Sequence, residues 1–134
     1  MIKAIIIDDS QFIGERLSNM LNDIDGVMVA GRASCAKDGL ALACTTEPDF
    51  IILDIRLPDV SGIEIIADIK KIDPEISIAM ITNYPYPSYR KFCMELGADY
   101  FFDKSNEFSK LIGLLTDLAR EKNGRLPFVS KSIC

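Results

Sequence analysis

The chain has 134 residues, 49% of them hydrophobic and 26% charged, which is one domain's length with apolar material for a single core. It contains no histidine, so neither a Ser-His-Asp or Cys-His nucleophile nor an imidazole zinc site can be assembled from it. The formal net charge of −5 disfavours nucleic acid, and no stretch reads as a signal peptide or membrane span; a cytoplasmic protein without nucleic-acid or membrane partners is expected.

In chain order, Ala4-Ile5-Ile6-Ile7 is a continuous, mostly β-branched run that predicts a strand buried on both faces. Ser10 stands where an N-cap belongs. Phe12, Ile13, Leu17, Met20, Leu21 and Ile24 then recur at helical spacing as one apolar face, closed by Gly26. Val27 to Ala30 is a second strand. Leu40, Ala43 and Cys44 mark a shorter helix that closes before Pro48. Phe50 to Asp54 is the third and most apolar strand. Beyond a loop with Pro58 and Gly62, Ile63, Ile66, Ile69 and Lys70 lie in a helix that stops before Pro74. Ile76 to Ile81 is a fourth strand. The two prolines of Tyr84-Pro85-Tyr86-Pro87-Ser88-Tyr89 delay the fourth helix to near Ser88 and make a stiff loop. Tyr89, Phe92, Cys93 and Leu96 form that helix's face, and Gly97 ends it. Tyr100-Phe101-Phe102 is the fifth strand. Phe108, Leu111, Ile112, Leu115 and Leu118 belong to the last helix, with Ser105 as its candidate cap.

Five strands alternating with five helices predict an α/β fold, a doubly wound parallel sheet with helices on both faces. The expected domain is 1–120, followed by a short, loosely ordered tail over 121–134. From Arg120 onward four cations accompany one anion, read as a solvated end. Cys35, Cys44, Cys93 and Cys134 form no C-x-x-C pair and read as free thiols in a reducing compartment.

The strong polar groups gather at strand ends. Asp8 and Asp9 end the first strand, Asp54 the third, Thr82 the fourth and Lys104 the fifth. In an open α/β sheet these ends form one rim, where ligands bind. Singly, each aspartate reads as a turn former. Together, close carboxylates raise one another's pKa or demand a cation, and oxygen ligands with a phosphate suit magnesium. A carboxylate can also attack phosphorus and become an aspartyl phosphate. If the acid pair holds the metal, Asp54 is left as the nucleophile.

At these positions the sequence resembles the response-regulator receiver domain of two-component signalling. The resemblance rests on Ile6-Ile7-Asp8-Asp9-Ser10, on Ile51-Ile52-Leu53-Asp54-Ile55-Arg56-Leu57-Pro58, on Ser61-Gly62 and Ile81-Thr82, and on Gly97-Ala98-Asp99 leading to Lys104. It spans roughly residues 2–119. It implies a flavodoxin-like (βα)5 sheet with strand order 2-1-3-4-5. It also implies that Asp54 accepts the phosphoryl group and that Asp8, Asp9 and Asp54 hold Mg²⁺, joined by the backbone carbonyl of Arg56. Lys104 would pair with Asp54 or its phosphate. Thr82 would hydrogen-bond the phosphoryl group and move toward it, and Phe101 would be the switch aromatic.

The implied partners are a sensor histidine kinase or histidine phosphotransfer protein and a downstream protein target. The target would read the face of the fourth helix, fifth strand and fifth helix. The sequence leaves homodimerisation open. Such a chain is a signalling protein and not an enzyme, beyond catalysing its own phosphotransfer and autodephosphorylation. The few residues after the last helix leave no room for a helix-turn-helix module within this sequence, so a stand-alone receiver is expected, with the receiver of a longer regulator that carries an output domain as the alternative.

Asn83 stands where the family usually has a small residue, and Ser105 where proline is common. Arg56 and Tyr84 are expected to shield the phosphate. Three alternatives carry less. A haloacid-dehalogenase-like phosphatase needs an acid at position 56, which is arginine. A flavin carrier needs a phosphate loop where Asp8-Asp9 would repel it. A phosphorylation-independent pseudo-receiver would have lost one of Asp8, Asp9, Asp54 or Lys104. The missing histidine then belongs to the partner, as its phosphohistidine.

Overall fold

A computed structural model describes residues 1–123. Its elements are β1 (Ile2–Ile7), α1 (Gln11–Asn22), β2 (Val27–Ala33), α2 (Ala36–Thr46), β3 (Phe50–Asp54), a 3-10 turn (Gly62–Ile65), α3 (Ile66–Ile72), β4 (Ser77–Thr82), α4 (Pro87–Leu96), β5 (Tyr100–Asp103) and α5 (Phe108–Asn123). The helix α5 thus crosses the expected boundary at residue 120. The expectations for the remaining tail, including Cys134, lie outside the described residues. No helix among them is long and apolar enough to cross a membrane.

The five strands form one parallel sheet in the order β2-β1-β3-β4-β5. The fold is the flavodoxin-like doubly wound α/β sheet that the sequence predicts. Side chains alternate across it, so each central strand feeds two cores. Ile5, Ile7, Ile51, Leu53, Ile78, Met80 and Phe101 pack on one face with Ala36, Ala43, Ile66, Ile69 and Cys93 from α2, α3 and α4. Ala4, Ile6, Phe50, Ile52, Ala79 and Ile81 pack on the other with Leu17 and Leu21 of α1 and Leu111 and Leu115 of α5. Covering both faces leaves the strand ends as the place where polar groups can sit.

Three local expectations are corrected. Phe12 lies outside the buried face of α1 and is 71% exposed, because only Gly14, Leu17 and Leu21 of that helix are buried. In α4, Cys93 alone is buried, while Phe92 is 54% exposed; β5 is an edge strand, so this helix covers little sheet. Ser105 does not cap α5. The helix starts at Phe108, and the Glu107 carbonyl accepts from the Lys110 and Leu111 amides at 3.1 and 3.2 Å. The Ser105 hydroxyl instead lies 3.5 Å from Asn83 Oδ1.

Candidate functional site

Register brings the strand-end residues together. Ile7 pairs with Leu53, so Asp8 comes alongside Asp54; Asp54 pairs with Ile81, one residue before Thr82; Thr82 pairs with Asp103, one before Lys104. The Lys104 amide donates to the Thr82 carbonyl at 2.8 Å and extends the ladder by one step. The sheet therefore delivers residues 8, 54, 82 and 104 to one rim.

The Lys104 ammonium lies 2.7 Å from Asp8 Oδ2 and 3.1 Å from Asp54 Oδ2. These side chains are nearly out of solvent: Lys104 is 7% exposed, Asp54 6% and Asp8 0%. The contact to Asp54 has hydrogen-bond geometry. The closer one to Asp8 does not, so Asp8 Oδ2 is an ion-pair partner left without a hydrogen bond among the described residues. The imbalance is one of charge: two buried carboxylates share a single ammonium, so one negative charge is left over. The other oxygens are tethered to backbone: Asp8 Oδ1 accepts from Ser10 N at 2.8 Å, and Asp54 Oδ1 from Arg56 N at 3.3 Å.

Asp9 is exposed, yet one carboxylate oxygen from each of Asp8, Asp9 and Asp54 falls within a 4.8 Å cluster. Oxygens around Mg²⁺ at about 2.1 Å span up to about 4.2 Å across an octahedron. A slight closure of the triad would suffice. The donor set is all oxygen and carries surplus negative charge, so the residues fit this cation.

Charge surplus and burial shape the titration. Burial first, and then the Asp8 carboxylate, push Asp54 up from 3.8 to about 6, against the opposing pull of Lys104. Burial alone would lower Lys104, but Asp8 and Asp54 outweigh it and hold the ammonium above its ordinary value. At neutral pH Asp54 is therefore largely ionised and Lys104 is protonated.

The loops around this centre are tightly built. Gly62 lies against β3, where any Cβ would collide with the Asp54 carbonyl oxygen. Its amide donates to the Ile55 carbonyl at 2.7 Å. Thr82 is buried, and its Oγ1 accepts from Tyr84 N at 3.0 Å, which leaves the hydroxyl proton to donate elsewhere. The Arg56 guanidinium lies 3.9 Å from the Tyr84 ring centre, a close cation–π contact beside the site. From there Tyr84, Tyr86 and Tyr89 run toward α4 with ring centres 6.2 and 5.5 Å apart. Phe101 is set apart: it is buried on the α2–α4 face, with the Arg90 guanidinium 5.9 Å from its ring.

The residues singled out in the sequence thus divide. Asp8, Asp54 and Lys104 touch. Asp9, Thr82 and Arg56 border them. Phe101 lies in the core below α4. The sequence reading missed Asp59. Its carboxylate accepts from the Ala36 and Lys37 amides at 2.9 Å each, and those two hydrogen bonds hold it down to about 2. A side chain capping a helix that starts 23 residues earlier leaves no periodic signal.

Comparison with known proteins bears on the family and the fold. The family model described as "Response regulator receiver domain" matches residues 4–116. Response regulator GacA of Pseudomonas aeruginosa is 28% identical over 112 residues, 84% of this chain and 52% of that protein. Protein-glutamate methylesterase/protein-glutamine glutaminase 4 of Hahella chejuensis is 30% identical over 133 residues, 98% of this chain and 34% of its own. The chain thus spans about half or less of the length of these curated relatives. Among solved structures, a CheY-like response regulator receiver domain protein from Methanospirillum hungatei superposes with a TM-score of 0.80 at 25% identity, covering 92% of this chain and 98% of that one.

Proposed function

The chain belongs to the response regulator receiver domain family, and from that premise we propose that it is a phosphorylation-dependent switch whose phosphoacceptor is Asp54. The carrying observation is one buried carboxylate held between a lysine at 3.1 Å and an acidic cluster with surplus charge. Asp8, Asp9 and Asp54, with the backbone carbonyl of Arg56, would hold Mg²⁺. That ion supplies positive charge to the phosphoryl oxygens and lowers the repulsion between them and the carboxylates.

The chain's own residues do the rest. A carboxylate oxygen of Asp54 attacks the phosphorus of a phosphohistidine presented by a sensor histidine kinase or a histidine phosphotransfer protein. The new P–O bond forms as the P–N bond breaks. The nitrogen keeps the bonding electron pair, and the imidazole takes up a proton from water. Lys104, already protonated, moves from pairing two carboxylates to pairing the phosphoryl group. Thr82 donates its hydroxyl proton to a phosphoryl oxygen. Arg56 and Tyr84 cover the product and slow attack by water, the separate step that breaks the Asp54–phosphoryl bond, releases inorganic phosphate and regenerates the carboxylate.

Phosphorylation then biases a two-state equilibrium. Motion of Thr82 toward the phosphoryl group repacks the neighbourhood of Phe101, which is already buried below α4, and the surface of α4, β5 and α5 changes. A downstream protein reads that surface, where Tyr86 and Phe92 are already exposed. We place this exchange in the cytoplasm, where phosphohistidine donors work. The chain regulates a partner; its chemistry is limited to its own phosphorylation and dephosphorylation.

The test is direct. With Mg²⁺ and a small phosphodonor, intact mass should rise by about 80 Da, one phosphoryl group on a carboxylate. Asp54→Asn should abolish the adduct. No adduct on the wild type, or one that survives in Asp54→Asn, would exclude Asp54 as the acceptor.

A further inference from the structure

The loop over residues 55–61 carries Arg56, and its two ends are anchored differently. At the inner end the Ile55 carbonyl accepts from Gly62 N at 2.7 Å and from the Ser61 hydroxyl at 3.3 Å, closing the loop on itself. At the tip, Asp59 reaches another element: Oδ1 accepts from Ala36 N and Oδ2 from Lys37 N, each at 2.9 Å. Those amides open α2. The helix's own cap residue is Cys35, whose sulfur accepts from Asp38 N at 3.5 Å, a weak bond. So α2 takes its strong cap from the loop, and the loop takes its position from α2. Between the anchors there is little slack. Pro58 restricts φ, and Leu57 packs against the core.

We propose that Asp59 is a positioning residue: its clamp on the Ala36 and Lys37 amides sets the Arg56 segment for divalent-cation binding and couples the acidic site to the start of α2. This rests on the reading of Asp8, Asp9, Asp54 and the Arg56 carbonyl as a Mg²⁺ site. By linkage, a cation that steadies Arg56 also steadies the cap, and a lost cap weakens the cation. The pairing persists over the working pH range, since the two amides keep Asp59 ionised.

The experiment titrates Mg²⁺ alone into the full chain by calorimetry, for the wild type, Asp59→Ala and the double variant Asp59→Ala/Cys35→Ser. The serine gives α2 a hydroxyl cap of its own. Asp59→Ala should weaken Mg²⁺ binding at least about fivefold, the low end of coupling between linked sites. The double variant should recover thermal stability but not affinity. A purely structural Asp59 would recover both together, and that result overturns the proposal, as does wild-type affinity in Asp59→Ala. A variant-free measurement covers the case in which neither folds: Mg²⁺ should slow hydrogen exchange at the Ala36 and Lys37 amides of the wild type, and unchanged exchange there overturns the coupling. Wild type that binds no Mg²⁺ overturns the metal reading and this inference together; wild type that binds, with indifferent variants, overturns this inference alone.

Discussion

The two rims of the sheet use the same residue types to opposite ends. At the rim where strands begin, Asp49 and Asp99 are each answered by a backbone amide and a lysine. Asp49 Oδ2 accepts from Lys3 N at 2.8 Å and pairs with Lys122 at 3.1 Å. Asp99 Oδ2 accepts from Ile78 N at 2.8 Å and pairs with Lys70 at 2.9 Å. These aspartates fasten backbone and cation together. At the rim where strands end, Asp8 and Asp54 share one lysine with the Asp9 carboxylate beside them, and Asp54 is pushed up to about 6. Structural ion pairs come out balanced. A surplus of buried charge destabilises the resting chain and persists where a ligand completes it.

The comparison can be broken most severely at the acceptor itself. Asp54→Asn should remove the phosphoryl adduct entirely, whereas Asp99→Asn should leave it in place; intact mass separates the two.

The lysines come next. Lys104→Met leaves two buried carboxylates without their cation and should cost about 3–5 kcal/mol at neutral pH, the penalty for breaking a buried pair. Lys70→Met removes a partly exposed pair, with side chains 22% and 38% exposed, and should cost about 1 kcal/mol or less. Denaturant unfolding measures both. Equal losses would mean the rims do not differ electrostatically. Mg²⁺ should stabilise Lys104→Met more than it stabilises the wild type or Lys70→Met, since only Lys104→Met lacks a cation at the acidic site.

The surplus charge also predicts a substitution that stabilises. Asp54 holds its proton more tightly folded, at about 6, than unfolded, at 3.8. Its ionised form therefore opposes folding. The cost is absent below pH 3.8, grows from there to 6 and is complete above it. The difference corresponds to about 3 kcal/mol. In Mg²⁺-free buffer Asp54→Asn should raise Tm at pH 8 and leave it unchanged at pH 3. Asp99→Asn should lower Tm at pH 8 by the loss of its hydrogen bonds, about 1 kcal/mol. A lowered Tm for Asp54→Asn at pH 8 would mean that Lys104 already neutralises the site.

The smallest expected effect lies at the edge of the site. Arg56→Ala or Tyr84→Ala should each speed autodephosphorylation several-fold, about 1 kcal/mol of barrier, with little change in stability. Unchanged rates would leave their 3.9 Å contact without a role in shielding the phosphate.

Much of this is legible in the sequence. The apolar run of Ile51 to Leu53 announces a strand buried on both faces, and the polar residue ending each strand announces the rim. The misses share a cause. Phe12 and Phe92 match a helical apolar face in spacing, yet they are exposed, because spacing does not say how wide a face the neighbours cover. Ser105 has the chemistry of a cap but sits three residues before the helix it was expected to cap. Asp59 looks like an ordinary turn aspartate after proline; its partners are 22 and 23 residues away.

The sequence by itself determined the element types, their alternation and the identity of the strand-end groups. Those follow from periods of 2 and 3.6 residues and from local chain stiffness, which are properties of neighbours along the chain. Only the tertiary structure decided that Asp8 and Asp54 share one lysine, that an Asp8 oxygen is buried without a hydrogen bond, that Asp54 titrates near 6 and that α2 is capped from the β3–α3 loop. Each of these depends on distance and dielectric between groups far apart in sequence, and parallel-strand register is what sets those distances.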